Sequence, residues 1–230
     1  MAIKAVLFDL DNTLFNSRGL TRTARWEACE AMVNAGLPAN STKEVYERLK
    51  AIVKKYGSNY PGHFDRLCES YGVRKEPEIV MSGRVAYHNA KFALINPYPN
   101  TEKVLMRLVR AGLCLGIVTN GLMEKQWEKI LRLKIRHFFD VIVISGREET
   151  QSGKQATIRK ALKKLKVKPE SAAFVGDSPT SDIASAKALG LTTILFLSPS
   201  VSKPGKPASA KERPHLTIHH IEELPDVLGI

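Results

Sequence analysis

Two carboxylates separated by one residue, Asp9 and Asp11, sit in the run Phe8-Asp9-Leu10-Asp11-Asn12-Thr13-Leu14. In an extended segment residues i and i+2 share one face, so both acids address the same space. Two adjacent carboxylates repel each other unless a cation neutralises them. A hard divalent ion held by oxygens is their natural partner. The competing reading is a strand that ends in a polar turn, with Asp11 and Asn12 as turn residues.

Three further polar groups have the same setting. Thr119-Asn120-Gly121 follows an apolar run and offers a hydroxyl, an amide and a flexible glycine, which suits an anion-binding turn ahead of a helix. Taken alone it reads more readily as a strand-to-helix turn with Thr or Asn as the N-cap. Lys154, in Ser152-Gly153-Lys154-Gln155, stands at the expected start of a helix, where the dipole disfavours a cation. An anionic site nearby would give a reason for it; otherwise it is a solvated surface lysine. Val175-Gly176-Asp177-Ser178-Pro179-Thr180-Ser181-Asp182 puts Asp177 at a strand end and Asp182 five residues on, in an expected first helical turn. Asp182 alone reads as a helix-start residue. Asp177 needs more explanation, because a strand-end carboxylate facing a carboxylate pair must be compensated.

The elements that carry these residues follow from periodicity. Ala5-Val6-Leu7-Phe8, Cys114-Leu115-Gly116-Ile117-Val118, Val141-Ile142-Val143-Ile144, Ala172-Ala173-Phe174-Val175 and Thr193-Ile194-Leu195-Phe196-Leu197 read as buried parallel strands, with Leu216-Thr217-Ile218 as a shorter one. Apolar stripes at helical spacing lie between them: Val104, Leu105, Leu108 and Val109; Ile130, Leu131 and Leu133; Ile158, Ala161, Leu162 and Leu165. Strands alternating with helices predict an α/β fold with a parallel sheet covered on both faces. All four polar motifs then fall at one edge of that sheet, where ligands of open α/β sheets bind.

Residues 17–94 break the alternation. They contain no strand pattern and read as four helices near 22–35, 42–57, 62–72 and 77–93, punctuated by Gly36-Leu37-Pro38, Tyr60-Pro61-Gly62 and Glu76-Pro77. The expectation is an inserted helical domain over 17–94 and a core domain built from 1–16 and 95–230. Residues 198–214, rich in Ser, Pro and Lys, read as a loop by composition.

Bulk properties narrow the class. An apolar fraction of 43% and a charged fraction of 25% describe a globular chain rather than a disordered one. The net charge of +12 is compatible with phosphate contacts to nucleic acid or with capture of small anions. The basic residues are spread over many helices with no nucleic-acid module signature, so small anions are the expected partners and nucleic acid is not. Three separated cysteines, Cys29, Cys68 and Cys114, support neither a disulfide framework nor a thiolate metal site. No apolar run has membrane-spanning length, and the N-terminus does not resemble a signal peptide, so a cytoplasmic location is expected, as a monomer or homodimer.

Taken in order, DxDxT, Thr119, Lys154 and GDxxxxD resemble the haloacid dehalogenase (HAD) superfamily, in particular its phosphoglycolate-phosphatase-like branch with a helical cap after the first strand. The resemblance spans the motifs from Asp9 to Asp182 and a core from residue 3 to about 197. It implies a Rossmann-like sheet and a Mg²⁺-dependent phosphatase acting on a small phosphorylated metabolite of the phosphoglycolate, triose or sugar phosphate class. By that resemblance Asp9 is the nucleophile that becomes an aspartyl-phosphate, and Asp11 is the acid and base. Thr119, the Asn120 region and Lys154 bind the phosphoryl group. Asp9, the Asp11 backbone carbonyl and Asp177 hold the metal, with Asp182 in support. Such a pair of half-reactions is consistent with a carboxylate nucleophile and with acid–base exchange at one residue. The related dehalogenases lack an acid two residues after the nucleophile and need no metal, so Asp11 argues against halide substrates. A phosphomutase or phosphotransferase would use the same intermediate, and a binding protein on the same scaffold, for anions or nucleic acid, would need none of it. The chain departs from the family's pattern after the lysine, where Lys-Pro-x-Pro is replaced by Lys154-Gln155-Ala156-Thr157. The cap is expected to close over the site and read the leaving group. Trp26, Tyr60, His63, Phe64, Arg84 and His88 are its candidate contacts, although for each a structural reading is the stronger one, with Trp26 in the cap core and the histidines on the surface.

Overall fold

The computed structural model describes residues 2–74, 76–146, 153–199 and 209–230. They divide into two compact units, Met1–Arg18 with Ile95–Ile230, and Gly19–Leu94.

The first unit is built on a parallel sheet of six strands: β1 (Ala5–Phe8), β2 (Cys114–Asn120), β3 (Val141–Ser145), β4 (Ala172–Gly176), β5 (Thr192–Phe196) and β6 (Leu216–Ile218). Their order is β3-β2-β1-β4-β5-β6, and every pairing is parallel. The chain therefore winds outward from β1 through β2 and β3, then returns beside β1 at β4 and winds the other way. The order reverses between β1 and β4, and the crevice beyond the carboxyl ends there is where such sheets hold ligands. This is the α/β, Rossmann-like fold expected from the alternating pattern. β1, β2 and β4 carry near-continuous buried apolar runs because both sheet faces are covered. Leu7, Val118, Val143 and Phe174 pack on one face with Ile158 and Ala161 of a helix over Gly153–Leu165.

Helices are numbered in chain order: α1 (Ser17–Asn34), α2 (Thr42–Tyr56), α3 (His63–Glu69), α4 (Pro77–Leu94), α5 (Thr101–Arg110), α6 (Met123–Arg132), α7 (Gly153–Leu165), α8 (Ala184–Ala188) and α9 (Leu224–Val227). Two stripe positions differ from expectation. Val109 and Leu131 are exposed, while Val104, Leu105, Leu108, Ile130 and Leu133 are buried. A 3.6-residue period carries each of these two residues off the face its neighbours bury.

The second unit contains α2, α3, α4 and all but the start of α1, packed around Ala28, Met32, Leu49, Leu67 and Ile79. Ser41 caps α2 by accepting from the Glu44 amide, and Gly57, at φ 81°, ends it. α1 begins five residues earlier than periodicity suggests. The side-chain oxygen of Asn12, a residue outside the helix, accepts from both Ser17 Oγ and the Arg18 amide at 3.0 Å, capping the first turn. Within this unit Phe64 is buried, but Trp26 is 41% exposed, edge-on to Tyr46, rather than a core residue. Arg84 pairs with Asp65, and His63 Nε2 lies 2.9 Å from the Gly57 carbonyl. His88 is exposed.

Of the basic 198–214 segment, residues 200–208 lie outside the described residues, as does Ser152.

Candidate active site

Asp9 follows β1 directly, and its amide donates to the Val175 carbonyl, so the strand end is tied to β4. Asp177 directly follows the last residue of β4, Gly176. Asp182 lies in a π-helical turn, Pro179–Ile183, rather than an ordinary first helical turn. Ser178 builds that turn. Its carbonyl accepts from the Asp182 and Ile183 amides, and its hydroxyl accepts from the Ser181 amide. The Ser178 amide in turn donates to Asp182 Oδ2 at 3.0 Å. Carboxylate oxygens of Asp9, Asp177 and Asp182 all lie within 4.8 Å of one another, the group among the described residues best arranged to hold a metal ion. Gly176 makes this approach possible. A methyl group there would sit 2.6 Å from the Asp182 carboxyl carbon.

Lys154, from the first turn of α7, is 4% exposed and therefore not a surface lysine. Its ammonium donates to Asp9 Oδ1 and, at 2.6 Å, to Asp182 Oδ1. It also lies 5.4 Å from the Phe174 ring centroid. The cost of placing a cation at a helix start is offset by these two carboxylates.

Charge in the cluster is not balanced by Lys154 alone. Burial pushes the Asp9 carboxyl up to about 8; Lys154 pulls it back, while Asp182 and Asp11 push it further up. Burial, then Asp182, raises Asp177 to about 6 against the pull of Arg18 and Lys154. Burial opposes the charge on Lys154, but Asp182 and Asp9 together hold its ammonium well above the ordinary lysine range. Arg18, at the start of α1, reaches Asp177 Oδ2 at 3.2 Å, but its side chain is 57% exposed and screened by water. A cluster with three converging carboxylates and one buried cation fits a further cation of hard, oxygen-seeking character.

Asp11 stands apart from that group. Both of its oxygens accept from Lys129 Nζ, at 2.8 and 2.7 Å, and Oδ2 also accepts from Gln126 Nε2 at 3.1 Å. Thr119 and Asn120 belong to β2 itself, paired with Ile144 and Ser145, and not to a turn after it; the turn begins at Gly121, with φ 147°. The strand outlasts its apolar run because β3 continues alongside. Thr119 Oγ1 lies 2.6 Å from Gln126 Nε2, and the Asn120 side-chain oxygen accepts from Ser145 Oγ at 2.5 Å. The structure thus brings Asp9, Asp177, Asp182 and Lys154 into one cluster and joins Asp11 to Thr119 through a second network. The Asn120 side chain is turned to β3.

Gln126, Lys129, Arg18 and Ser178 were not predicted from sequence. For Gln126 a signal existed: positions 126, 130 and 133 share one helical face, and a glutamine there interrupts a buried apolar stripe. Lys129 and Arg18 are two among 35 basic residues, and nothing in their type or spacing separates them from the rest.

A family model described as haloacid dehalogenase-like hydrolase matches residues 6–196. A glyceraldehyde 3-phosphate phosphatase of Methanopyrus kandleri is 46% identical over 193 residues, 84% of this chain and 83% of that one. A protein of the same name from Methanocaldococcus jannaschii is 41% identical over 228 residues, covering 98% and 97%. Among solved structures, a HAD-hydrolase of Bacillus subtilis bound to magnesium superposes with a TM-score of 0.69 at 19% identity over the full length of both chains. At that identity the likeness concerns the fold.

Proposed function

The chain belongs to the haloacid dehalogenase-like hydrolases and is an enzyme acting on phosphoric monoesters, and from that premise we propose that it is a Mg²⁺-dependent phosphatase of a small phosphorylated metabolite, with glyceraldehyde 3-phosphate the first substrate to test. The observation that carries the mechanism is Lys154, buried and bridging Asp9 and Asp182 beside Asp177. The substrate class is supported by the two phosphatases named above, which align over most of both chains.

In this reading an Asp9 oxygen attacks phosphorus. The new oxygen–phosphorus bond forms as the bond to the leaving oxygen breaks, and Asp11 gives that oxygen its proton. Water then attacks the aspartyl-phosphate, Asp11 takes the water's proton, and Asp9 is released with inorganic phosphate. Lys154 fixes the Asp9 rotamer and offsets negative charge where it accumulates. The Thr119 hydroxyl donates a hydrogen bond to a phosphoryl oxygen. Asp9 and Asp177, with the Asp11 carbonyl, would hold Mg²⁺, which would lower the charge repulsion between a carboxylate nucleophile and a phosphate. Both Asp182 oxygens already accept bonds, from Lys154 and the Ser178 amide, which favours a supporting part for Asp182 over direct ligation.

The test is release of inorganic phosphate from a set of phosphorylated metabolites with Mg²⁺, by the parent chain and by Asp9→Asn. The expected result is hydrolysis that Asp9→Asn and excess chelator each abolish. Turnover by a pure Asp9→Asn sample would sink the covalent mechanism. Transfer of phosphate to a second sugar hydroxyl in place of water would turn the assignment to a mutase.

A further inference from the structure

Gln126 and Lys129 lie three residues apart on one face of α6, and between them they touch both Asp11 and Thr119. Lys129 Nζ has three acceptors: the two Asp11 oxygens, and Gln126 Oε1 at 2.7 Å. An ammonium has three protons, so the set is complete. It also fixes the amide, whose oxygen must face the ammonium and whose nitrogen must face Thr119 Oγ1, Asp11 Oδ2 and the Asn120 carbonyl, the last at 3.2 Å. The shortest of these bonds is to Thr119. Once Thr119 Oγ1 accepts it, the hydroxyl's own proton is left to be given elsewhere. Gln126 is 2% exposed, and a buried amide in an apolar stripe costs stability unless its bonds are made. Ile130 and Leu133 already anchor the helix by burial, so the polar pair is not what holds α6 in place.

We infer that Gln126 and Lys129 form a single positioning unit that ties the carboxylate of Asp11 to the hydroxyl of Thr119, so that the leaving-group contact and the phosphoryl contact are set from one face of α6. The inference rests on the reading of Asp11 as acid and base and of Thr119 as phosphoryl donor. Lys129 touches Asp11 and Gln126 but not Thr119, whereas Gln126 touches both Asp11 and Thr119. The two side chains therefore have different signatures. Losing Lys129 disturbs the proton transfers, which matter most for a poor leaving group. Losing Gln126 also disturbs Thr119, which serves any phosphate ester.

The experiment compares parent, Lys129→Met, Lys129→Arg and Gln126→Leu on an alkyl phosphate and on a p-nitrophenyl phosphate at saturating Mg²⁺, with thermal midpoints measured alongside. Lys129→Met is expected to lower kcat on the alkyl ester by about tenfold or more, within the range of acid–base contributions, and on the aryl ester by much less. KM should change little, and Lys129→Arg should recover part of the loss. Gln126→Leu should lower kcat on both esters. A double-mutant cycle on the alkyl ester supplies the second measurement: in an Asp11→Asn background, Lys129→Met should cause no further loss of the residual rate. An unchanged kcat for Lys129→Met on the alkyl ester, or fully additive losses in the cycle, overturns the positioning unit. Asp11→Asn turning over the alkyl ester at the parent rate would instead overturn the reading of Asp11 itself. If Lys129→Met does not fold, Lys129→Gln, which keeps a donor on a shorter stem but not the charge, takes its place in both comparisons.

Discussion

At the scale of single residues, the site is a problem of charge compensation, and the identity of the acids states it before any coordinates do. Asp9, Asp11 and Asp177 could be singled out because each lies just past an apolar strand and the polar motifs fall at one edge of the sheet. What the acids bind to was not legible. Lys154 at a helix start was marked by its unfavourable dipole position alone. Lys129 and Arg18 acquire meaning only when the fold brings these two side chains to Asp11 and Asp177. The compensation has a measurable consequence. In the metal-free protein burial holds the Asp9 carboxyl near 8, against an ordinary 3.8. The folded state then binds this proton more tightly than the unfolded chain does, so its contribution to stability is greatest below the unfolded value and is lost as pH rises through the folded one. A divalent cation competes with that proton. Mg²⁺ should therefore raise the thermal midpoint more at about pH 8 than at about pH 5, where much of the gain is spent displacing protons. Equal increments at both values would mean that Asp9 takes no part in holding the ion.

Elements, in contrast, were legible where local signals agree and displaced where a distant residue decides. β1 and β6 have the expected limits, and α2 differs by one residue, because Ser41 and Gly57 are local stops. α1 starts early because its cap, Asn12, is five residues upstream of Ser17, and β2 runs two residues long because β3 lies beside it. The π-helical turn after β4 has no sequence signature of its own, although it sets the Asp182 carboxylate against Lys154. Gly176 shows how tightly that turn is packed. A β-carbon at Gly176 meets the Asp182 carboxylate, while one at Gly116 of β2 meets Leu7 Cδ2 at 2.6 Å and Val141 Cγ1 at 2.8 Å. Both Gly→Ala changes overpack, at about 1–3 kcal/mol each. For a chain of this size that corresponds to a fall in midpoint of roughly 2–4 °C per kcal/mol. Their effects on turnover should separate. Gly116→Ala strains the core and should leave kcat near the parent value, whereas Gly176→Ala pushes Asp182 from Lys154 and should lower kcat by at least about tenfold. The comparison is made at a temperature where both variants are folded by circular dichroism, and equal kcat values for the two would detach the Asp182 contact from the chemistry.

For the whole molecule, the alternation of strands and helices was enough to expect the parallel sheet, and residues 17–94, which carry no strand pattern, contain the compact unit Gly19–Leu94. The net charge of +12 is the property least tied to the fold. Among the described residues no helix is long and apolar enough to cross a membrane. The physical effect of the charge is a positive field that raises the local concentration of anions and speeds their arrival. Lys129 and Arg18, both partly exposed at the site, would add to that field where a phosphate ester enters. Salt shortens the range of such a field, from a screening length of about 10 Å at 0.1 M to about 3 Å at 1 M. Capture should therefore weaken with salt while the buried steps do not, since Lys154 and Asp9 are sheltered from screening. At fixed free Mg²⁺, raising a monovalent salt from about 0.05 M to about 0.5 M should raise KM for a triose phosphate several-fold and leave kcat nearly constant, with a steeper rise for a bisphosphate. A fall in kcat with constant KM would place the salt-sensitive charges inside the chemical step and not on the approach to it. A flat response in both would leave the excess of basic residues with no part in substrate capture.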